Sequence, residues 1–428
     1  MEYTVTTSRS WFSRLGASVG GVLLGIALII AGTGLLWWNE GDFVKTRDAL
    51  NEAQGVTEEL EDIRGVDAAA NGRLVHAVGP ADTQDVLTDP VFGIGGRGIA
   101  FARTVEFYQW TESSRSETRQ KLGGGEETVT TYSYTTEWVG HPVNSGNFHV
   151  AEARSRHVNS VLLAVGDLTL YASNVSFGAY RLPDFFVRSI GGEQPFNVAL
   201  DSAARARLAR NMLRSHPELV RAAGAAGPGA RTADVDRIPA DSLPAVVHEQ
   251  GNMLYLGASP AVPQVGDVRV FFTMTPPATV SIIAKVAGNT FDRFKAANGK
   301  SVSILSMGEA SMEEMYADEH TSNKIITWLL RALGTVLVIG GLRCVFAPLA
   351  VLAGVIPMLG SIVGAGTALF SLLLGLAWSL LIMAVAWLRF RPAIGGAMLA
   401  VAALLVALLY MKGRGNKGAS TPPAAPAA

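Results

Sequence analysis

Cysteine is almost missing from this 428-residue chain, Cys344 being the only one. One thiol excludes an intrachain disulfide framework and any thiolate metal cluster. Charge is scarce too, at 17% of residues, and it balances to a formal −1. That balance leaves no global basic field, and no nucleic-acid partner is expected. The histidines are His76, His141, His149, His157, His216, His248 and His320. They form no i,i+4 pair and no H-E-x-x-H, so no metal site is expected. No two carboxylates stand where a general acid and base could be assigned. We therefore expect no catalytic residues, no cofactor and no enzyme. What is abundant is apolar side chain, 49% of the total, and much of it lies in long runs.

The longest run is Lys324 to Met411, broken by charge at Arg331, Arg343, Arg389 and Arg391. A soluble domain cannot hide such a run around its own core. A bilayer can, since a spanning helix needs roughly 20 apolar residues. Its counterpart near the other end is Ala17 to Trp38. The rival reading of that stretch, a cleavable signal peptide, would have an apolar part of roughly 7–15 residues and a small-residue cleavage site. This run is longer, and it ends on Trp37 and Trp38, which favour the membrane interface. It is expected to stay as an anchor.

The expected organisation follows: a cytoplasmic N-terminus (1–16), a first span (17–38), a β-rich extracytoplasmic domain (39–323) and a second span (324–343). A re-entrant or interfacial hairpin (344–365), spans at 366–388 and 393–411, and a disordered cytoplasmic tail (412–428) complete it. The hairpin assignment rests on Pro348, Gly354, Pro357 and Gly360, which break the apolar pattern. If 344–365 crossed fully, the C-terminus would change sides. The fold class is α+β, with one N-terminal and about three C-terminal membrane helices flanking a large β-rich domain.

Within the spans, Gly21 and Gly25 form a G-x-x-x-G, a spacing that can bring two helices close. Gly360 and Gly364 repeat it. Arg331 lies one to two turns inside the second span, where a charge is by default a functional candidate. Its aliphatic stem would also let it snorkel to the interface.

In the middle domain, Thr46 to Ile63 has apolar residues at helical spacing, weakened at Gly55. Gly72 to Gly79 reads as a strand closed by Gly79-Pro80. Arg103 to Thr111 and Thr128 to Val139 read as hairpin arms, with aromatics and threonines alternating. Between them, Glu112 to Glu127 reads as a polar loop with a flexible Gly123-Gly124-Gly125 tip. Asp201 caps a helix over Ser202 to Ser215, on which Arg205, Arg207, Arg210 and Arg214 form the strongest basic cluster. Such a helix is either a solvated face or a surface for anionic membrane. Ser311-Met312-Glu313-Glu314 is a capping box opening a helix toward the membrane.

Two motif matches carry little. Gly93-Ile94-Gly95-Gly96-Arg97-Gly98 fits the dinucleotide pattern but follows a turn, Asp89-Pro90, and precedes a strand-like run. Gly16-Ala17-Ser18-Val19-Gly20 fits a nucleophile elbow but sits at the start of a membrane helix.

A further set of short motifs appears in one order along nearly the whole chain. They are Asn39-Glu40-Gly41, Gly72-Arg73-Leu74-Val75-His76, Asp89-Pro90, Tyr108-Gln109-Trp110, Tyr132-Ser133-Tyr134, Thr136-Glu137-Trp138, Asn144-Ser145 and Asn147-Phe148. Val265-Gly266-Asp267 with Arg269-Val270, Trp328 with Leu330-Arg331-Ala332, and Trp387 with Arg391-Pro392 follow. In these the chain resembles the LUMA family, also called transmembrane protein 43. The resemblance implies four spans, cytosolic ends, a large lumenal domain, and a membrane-organising, partner-binding role without catalysis. Animal members of the family sit in the endoplasmic reticulum and inner nuclear membrane and contact lamina-associated proteins. The Ala/Gly/Arg-rich style and scarce cysteine point to a bacterial member, with the domain in the periplasm and the protein in the inner membrane.

The expected function is a non-enzymatic membrane scaffold that binds membrane lipid and other membrane proteins and works as a homo-oligomer. The alternative is a channel or transport subunit using the C-terminal helices, suggested by Arg331 and the broken stretch after it.

Overall fold

The computed structural model describes residues 2–216, 219, 238–392 and 396. The chain forms two compact units. The first comprises Met1–Thr7, Glu52–Arg119 and Glu127–Ala317; the second comprises Ser8–Asn51, Gln120–Glu126 and the chain from Asp318 onward.

The first unit is built on two large sheets. The eight-stranded sheet runs β1 (Glu2–Arg9), β7 (Glu126–Val139), β6 (Ala100–Gln120), β14 (Val268–Thr275), β13 (Met253–Leu256), β12 (Val247–Gln250). β11 (Gln194–Pro195) joins β14, and β8 (Leu168–Tyr171) joins β6. Strand β14 shows why the sheet has one covered face. Val268, Val270 and Phe272 are buried while Arg269, Phe271 and Thr273 between them are partly exposed, the period-two alternation of a half-covered strand. The covered face holds Phe101, Val105, Phe107, Leu254 and Phe272, and Met212 and Leu213 of helix α4 (Ser202–Ser215) close over it.

The seven-stranded sheet runs β19 (Ile304–Met307), β15 (Ala278–Ala287), β16 (Thr290–Asp292), β10 (Tyr180–Arg181), β9 (Val175–Phe177), β3 (Leu74–Thr83), β2 (Thr57–Glu59). Because β15 also pairs with β3, the path closes on itself around β15, β16, β10, β9 and β3. Closure removes open edges. It also explains the near-continuous burial of β15 from Val280 to Ala284, since a strand enclosed on both faces reads as an unbroken apolar run. The interior is Val75, Ala77, Phe177, Tyr180, Ile282, Val286 and Phe291. Two short pairs, β4 (Val86–Thr88) with β5 (Gly95–Arg97) and β17 (Phe294–Lys295) with β18 (Ser301–Val302), complete its strands among the described residues. Helices α2 (Ala151–Arg156) and α3 (Asp184–Val187) are short.

Several expectations change here. β3 continues through Gly79-Pro80 instead of ending there. The polar stretch after Thr111 is strand as far as Gln120, because hydroxyls across the ribbon pair with one another (Ser116 with Thr130 at 2.8 Å, Thr118 with Thr128 at 3.0 Å). Ser160 to Tyr171, an apolar stretch, is mostly irregular and ends in β8. The Gly93–Gly98 motif forms the β4–β5 hairpin, not a strand-to-helix turn.

The second unit is helical. Helix α1 (Trp11–Val56) contains the expected first span and runs on through Thr46 to end just past Gly55. Its 46 residues make it about 69 Å long at 1.5 Å per residue, far more than a bilayer core of about 30 Å. Helix α5 (Met312–Ala353) starts at the expected capping box, with Ser311 and Glu314 bonded reciprocally. Helix α6 (Pro357–Phe390) follows. All three are long and apolar enough to cross a membrane. The expected separate hairpin at 344–365 is divided between α5 and α6: α5 carries straight on through Pro348, and the break comes only at 354–356. Continuation is possible because proline removes one N–H, and a long helix anchored on both sides tolerates that loss. The fourth span expected at 393–411, and the tail, lie outside the described residues apart from Gly396.

The hairpin tip, Gln120–Glu126, belongs to this second unit and is held there. Arg14 donates to the Gly124 carbonyl at 2.5 Å and pairs with Glu126 at 2.8 Å. The Gly123 N–H reaches the Val355 carbonyl at 3.2 Å, and the Trp11 indole reaches Val351 at 3.0 Å. Gly124 has φ +79°, a left-handed conformation that suits glycine. The tip expected to be flexible is thus pinned to the Trp11–Arg14 end of α1 and the α5–α6 turn.

A polar cluster in the helical unit

Helices α1 and α5 meet antiparallel along a seam of small residues. A Cβ on Gly25 would lie 2.6 Å from the Gly341 carbonyl oxygen, and one on Gly32 would lie 2.8 Å from that of Gly334. Asn39 continues the register, its side-chain amide donating to the Thr327 carbonyl at 3.1 Å. The contacts step by seven residues on each helix: 25, 32, 39 against 341, 334, 327. This is the heptad repeat of helices packed at a shallow angle, with glycine allowing backbone contact. Of the glycine pair expected to pack, Gly25 does so and Gly21 meets nothing within 4 Å among the described residues. Its true companions, Gly32, Gly334 and Gly341, are spaced by seven rather than four. Gly360 sits against Gly354 beside the α5–α6 turn, and Gly364 makes only an ordinary contact with Ala350.

The polar cluster closes one end of this seam. Glu40 is fully buried, and its two carboxylate oxygens accept from Arg331 Nε at 2.6 Å and Nη2 at 2.9 Å. The Trp387 indole of α6 donates to the same carboxylate at 2.7 Å. Arg331 also lies over the Trp328 ring at 4.7 Å. A helical arginine side chain points back toward its own N-terminus, which lets Arg331 reach the level of Thr327 and Asn39. Asn323 donates to the Phe43 carbonyl at 3.2 Å. Gly41 is glycine because a Cβ there would lie 2.8 Å from the Phe390 ring. Arg391 stacks over Phe43 at 4.3 Å, and its Nε and Nη2 have no hydrogen-bond partner among the described residues.

Asn39-Glu40-Gly41 and Trp387…Arg391 are therefore one assembly, drawing α1, α5 and α6 to a common level. Arg331 makes a contact within the bundle. Its partner Glu40 was missed, because a carboxylate just past a tryptophan pair reads as the solvated end of a span. The usable signal was the combination of one carboxylate and one arginine near the facing ends of two adjoining spans.

In the β unit the buried polar groups serve loops. Asp89, fully buried, accepts from Val91 and Phe92 N–H at 2.7 and 2.9 Å and from Arg103 at 2.6 Å. Asp267, held above its usual range by burial, accepts from the Tyr255 hydroxyl and from Gln264 N–H. Gly266 before it has φ +107°, so Val265-Gly266-Asp267 is turn chemistry. The Tyr134 hydroxyl, pushed up to about 12 by burial and by the carboxylate it meets, donates to Glu112 at 2.5 Å.

The expected basic surface on α4 is only partly free. Asp201 caps the helix through Ala204 N–H at 2.6 Å. Arg205 is bonded to Glu249, Arg210 donates to the Ile238 carbonyl at 3.0 Å, and Arg214 reaches Asn211 at 3.3 Å. Arg207 is exposed. A cavity of ≈ 480 Å³ beside this helix is lined by Ser202, Arg205, Asp241 and Glu249; its arginine and glutamate are engaged with each other.

Three comparisons place the chain. The family model described as Transmembrane protein 43 matches residues 107–392. Transmembrane protein 43 of Rattus norvegicus is 27% identical over 92% of this chain and 90% of its own length. The Homo sapiens protein of the same name is 28% identical over 90% and 89%, and the Drosophila melanogaster homolog 27% over 88% and 90%. No solved structure matches. With most of its length inside the family model, three membrane-length helices and a β-rich unit between the first and second, this chain is an integral membrane protein of the transmembrane protein 43 family.

Proposed function

We propose that this protein is a non-enzymatic membrane scaffold that assembles with copies of itself and organises lipid and other membrane proteins around it. The observation that carries this reading is the Glu40–Arg331–Trp387 cluster. The charge that could have lined a transport path is consumed, both oxygens of its counter-ion engaged, in fastening three helices. Shared ancestry with proteins named only for their membrane segments is consistent with that role. Asp89 and Asp267 likewise hold turns together.

In this reading the protein lies in a bacterial inner membrane with the body of the β unit in the periplasm. Arg9 and Arg14 before the first span support a cytoplasmic N-terminus. Labelling single cysteines introduced at positions 10 and 260 from each side of the membrane tests this arrangement. The expected pattern is 10 reacting from the cytoplasmic side and 260 from the other; both reacting from one side would overturn it.

The scaffold role is tested by purifying the full chain in mild detergent and weighing single particles. Oligomers with bound lipid or protein are expected. A strict monomer with neither would end the reading.

A further inference from the structure

In the β unit, Arg64, Arg73, Arg97 and Arg269 are each held by a carboxylate. A second group of cations is not. Lys285 lies near the end of β15, Arg293 lies between β16 and β17, and Lys295 ends β17. Among the described residues, none of these three side chains makes a hydrogen bond or an ion pair.

The local structure explains why they stay unpaired. Lys285 stands directly across from Asp292 in the β15–β16 ladder, where opposite charges ordinarily pair. Instead, Asp292 Oδ1 accepts from the Arg293 N–H at 2.7 Å. Lys285 is only partly exposed, so its ammonium loses water without gaining an acceptor, which costs free energy. Arg293 lies over the Phe185 ring at 4.6 Å. That contact uses the face of the guanidinium and leaves the N–H donors at its edge without a partner. Two other carboxylates bonded to these segments are engaged: Glu58 by Arg73 at 2.7 Å, and Glu52 by the Ala297 N–H at 3.0 Å.

The three cations line one cavity. Its volume is ≈ 500 Å³, and Asp292 and Ser301 also line it. Ser301 faces Lys295 across the β17–β18 ladder and adds a hydroxyl. A volume of that size holds a small molecule. Three cations and one carboxylate leave the lining with two positive charges in excess.

We propose that this cavity binds a phosphate monoester. Such a group carries close to two negative charges at neutral pH, which matches the lining. Arg293 offers the paired donors that fit two phosphate oxygens, and Lys285 and Lys295 act as point charges. The inference goes beyond the scaffold reading and does not depend on it.

The full chain in non-ionic detergent is titrated calorimetrically, at fixed ionic strength, with inorganic phosphate, glycerol 3-phosphate and succinate. Saturable binding of both phosphates, one per chain, is expected, with succinate weaker. Arg293→Gln and Lys285→Gln should each weaken phosphate binding at least about tenfold, the size of one charge-assisted hydrogen bond. Arg64→Gln, outside the cavity, should leave it unchanged. Arg293 is exposed, so its substitution should preserve folding; an unchanged thermal midpoint without phosphate verifies that. No saturable binding of either phosphate overturns the proposal. Equal binding by wild type and the Arg293→Gln variant, an adventitious ion only, overturns it too, as does succinate binding as tightly as phosphate. Dihexanoyl phosphatidic acid carries the same monoester on a lipid. Tighter binding of it than of glycerol 3-phosphate supports the site with a lipid headgroup as the source; equal or weaker binding supports it with a soluble molecule.

Discussion

Among the described residues, each unit holds an ion pair whose carboxylate is fully buried, and the two pairs are built differently. In the β unit, Asp89 takes Arg103 on one oxygen and two loop N–H groups on the other. In the helical unit, Glu40 takes only side chains, Arg331 twice and Trp387 once. The reason is the backbone. A loop has free N–H groups that need acceptors, whereas a membrane helix satisfies its own backbone internally. The first carboxylate is a loop organiser that also binds a cation. The second is purely a fastener between helices, so its partners must come from other spans.

Removing both partners should separate the two cases most sharply. Glu40→Ala leaves Arg331 buried and unpaired, and Asp89→Ala does the same to Arg103; each should cost about 3–5 kcal/mol, read as a fall in thermal midpoint in detergent. Adding Arg331→Met to Glu40→Ala should recover much of the loss, leaving one donor, the Trp387 indole N–H, without its acceptor. Adding Arg103→Met to Asp89→Ala should recover less, because two donors, the Val91 and Phe92 N–H groups, stay orphaned. Equal recovery would break the distinction. Next in size is the helix seam. Gly341→Ala places a methyl 2.6 Å from the Gly25 carbonyl, and overpacking of that kind costs about 1–3 kcal/mol.

A smaller effect comes from His157, packed against Trp110 and Tyr134 with neither ring nitrogen hydrogen-bonded. Burial lowers its pKa below the ordinary 6.5. The unfolded chain then takes a proton that the folded chain refuses, so its contribution is complete above pH 6.5 and declines as pH falls below it. Urea midpoints should drop between pH 7.5 and pH 5, and His157→Phe should flatten that slope. The smallest effect expected is Gly21→Ala. Among the described residues it meets nothing within 4 Å, and it should change stability by less than about 1 kcal/mol, the helix-propensity difference, in the favourable direction.

Much of this architecture was legible. The capping box at Ser311, the Asp201 cap, the hairpin arms and the membrane-length runs all lie where short-range chemistry puts them. The cluster was half legible. Arg331 stood out as a charge among apolar neighbours, but Glu40 resembled an ordinary charged residue at a membrane boundary. Gly21 and Gly25 suggested spacing by four, whereas the seam uses spacing by seven with glycines of another helix. The tip glycines suggested mobility, which Arg14 and Trp11 remove through contacts more than a hundred residues away.

Hydrophobic run length and alternation along the chain were enough to establish a membrane protein with a β-rich unit between its first and second spans. Both signals are local, because solvent and lipid act on each segment separately. Which glycine touches which backbone, which carboxylate neutralises Arg331, and where the long hairpin ends were decided only by the tertiary structure. Those are pairings between segments distant in sequence, and their energy exists only after the segments have met.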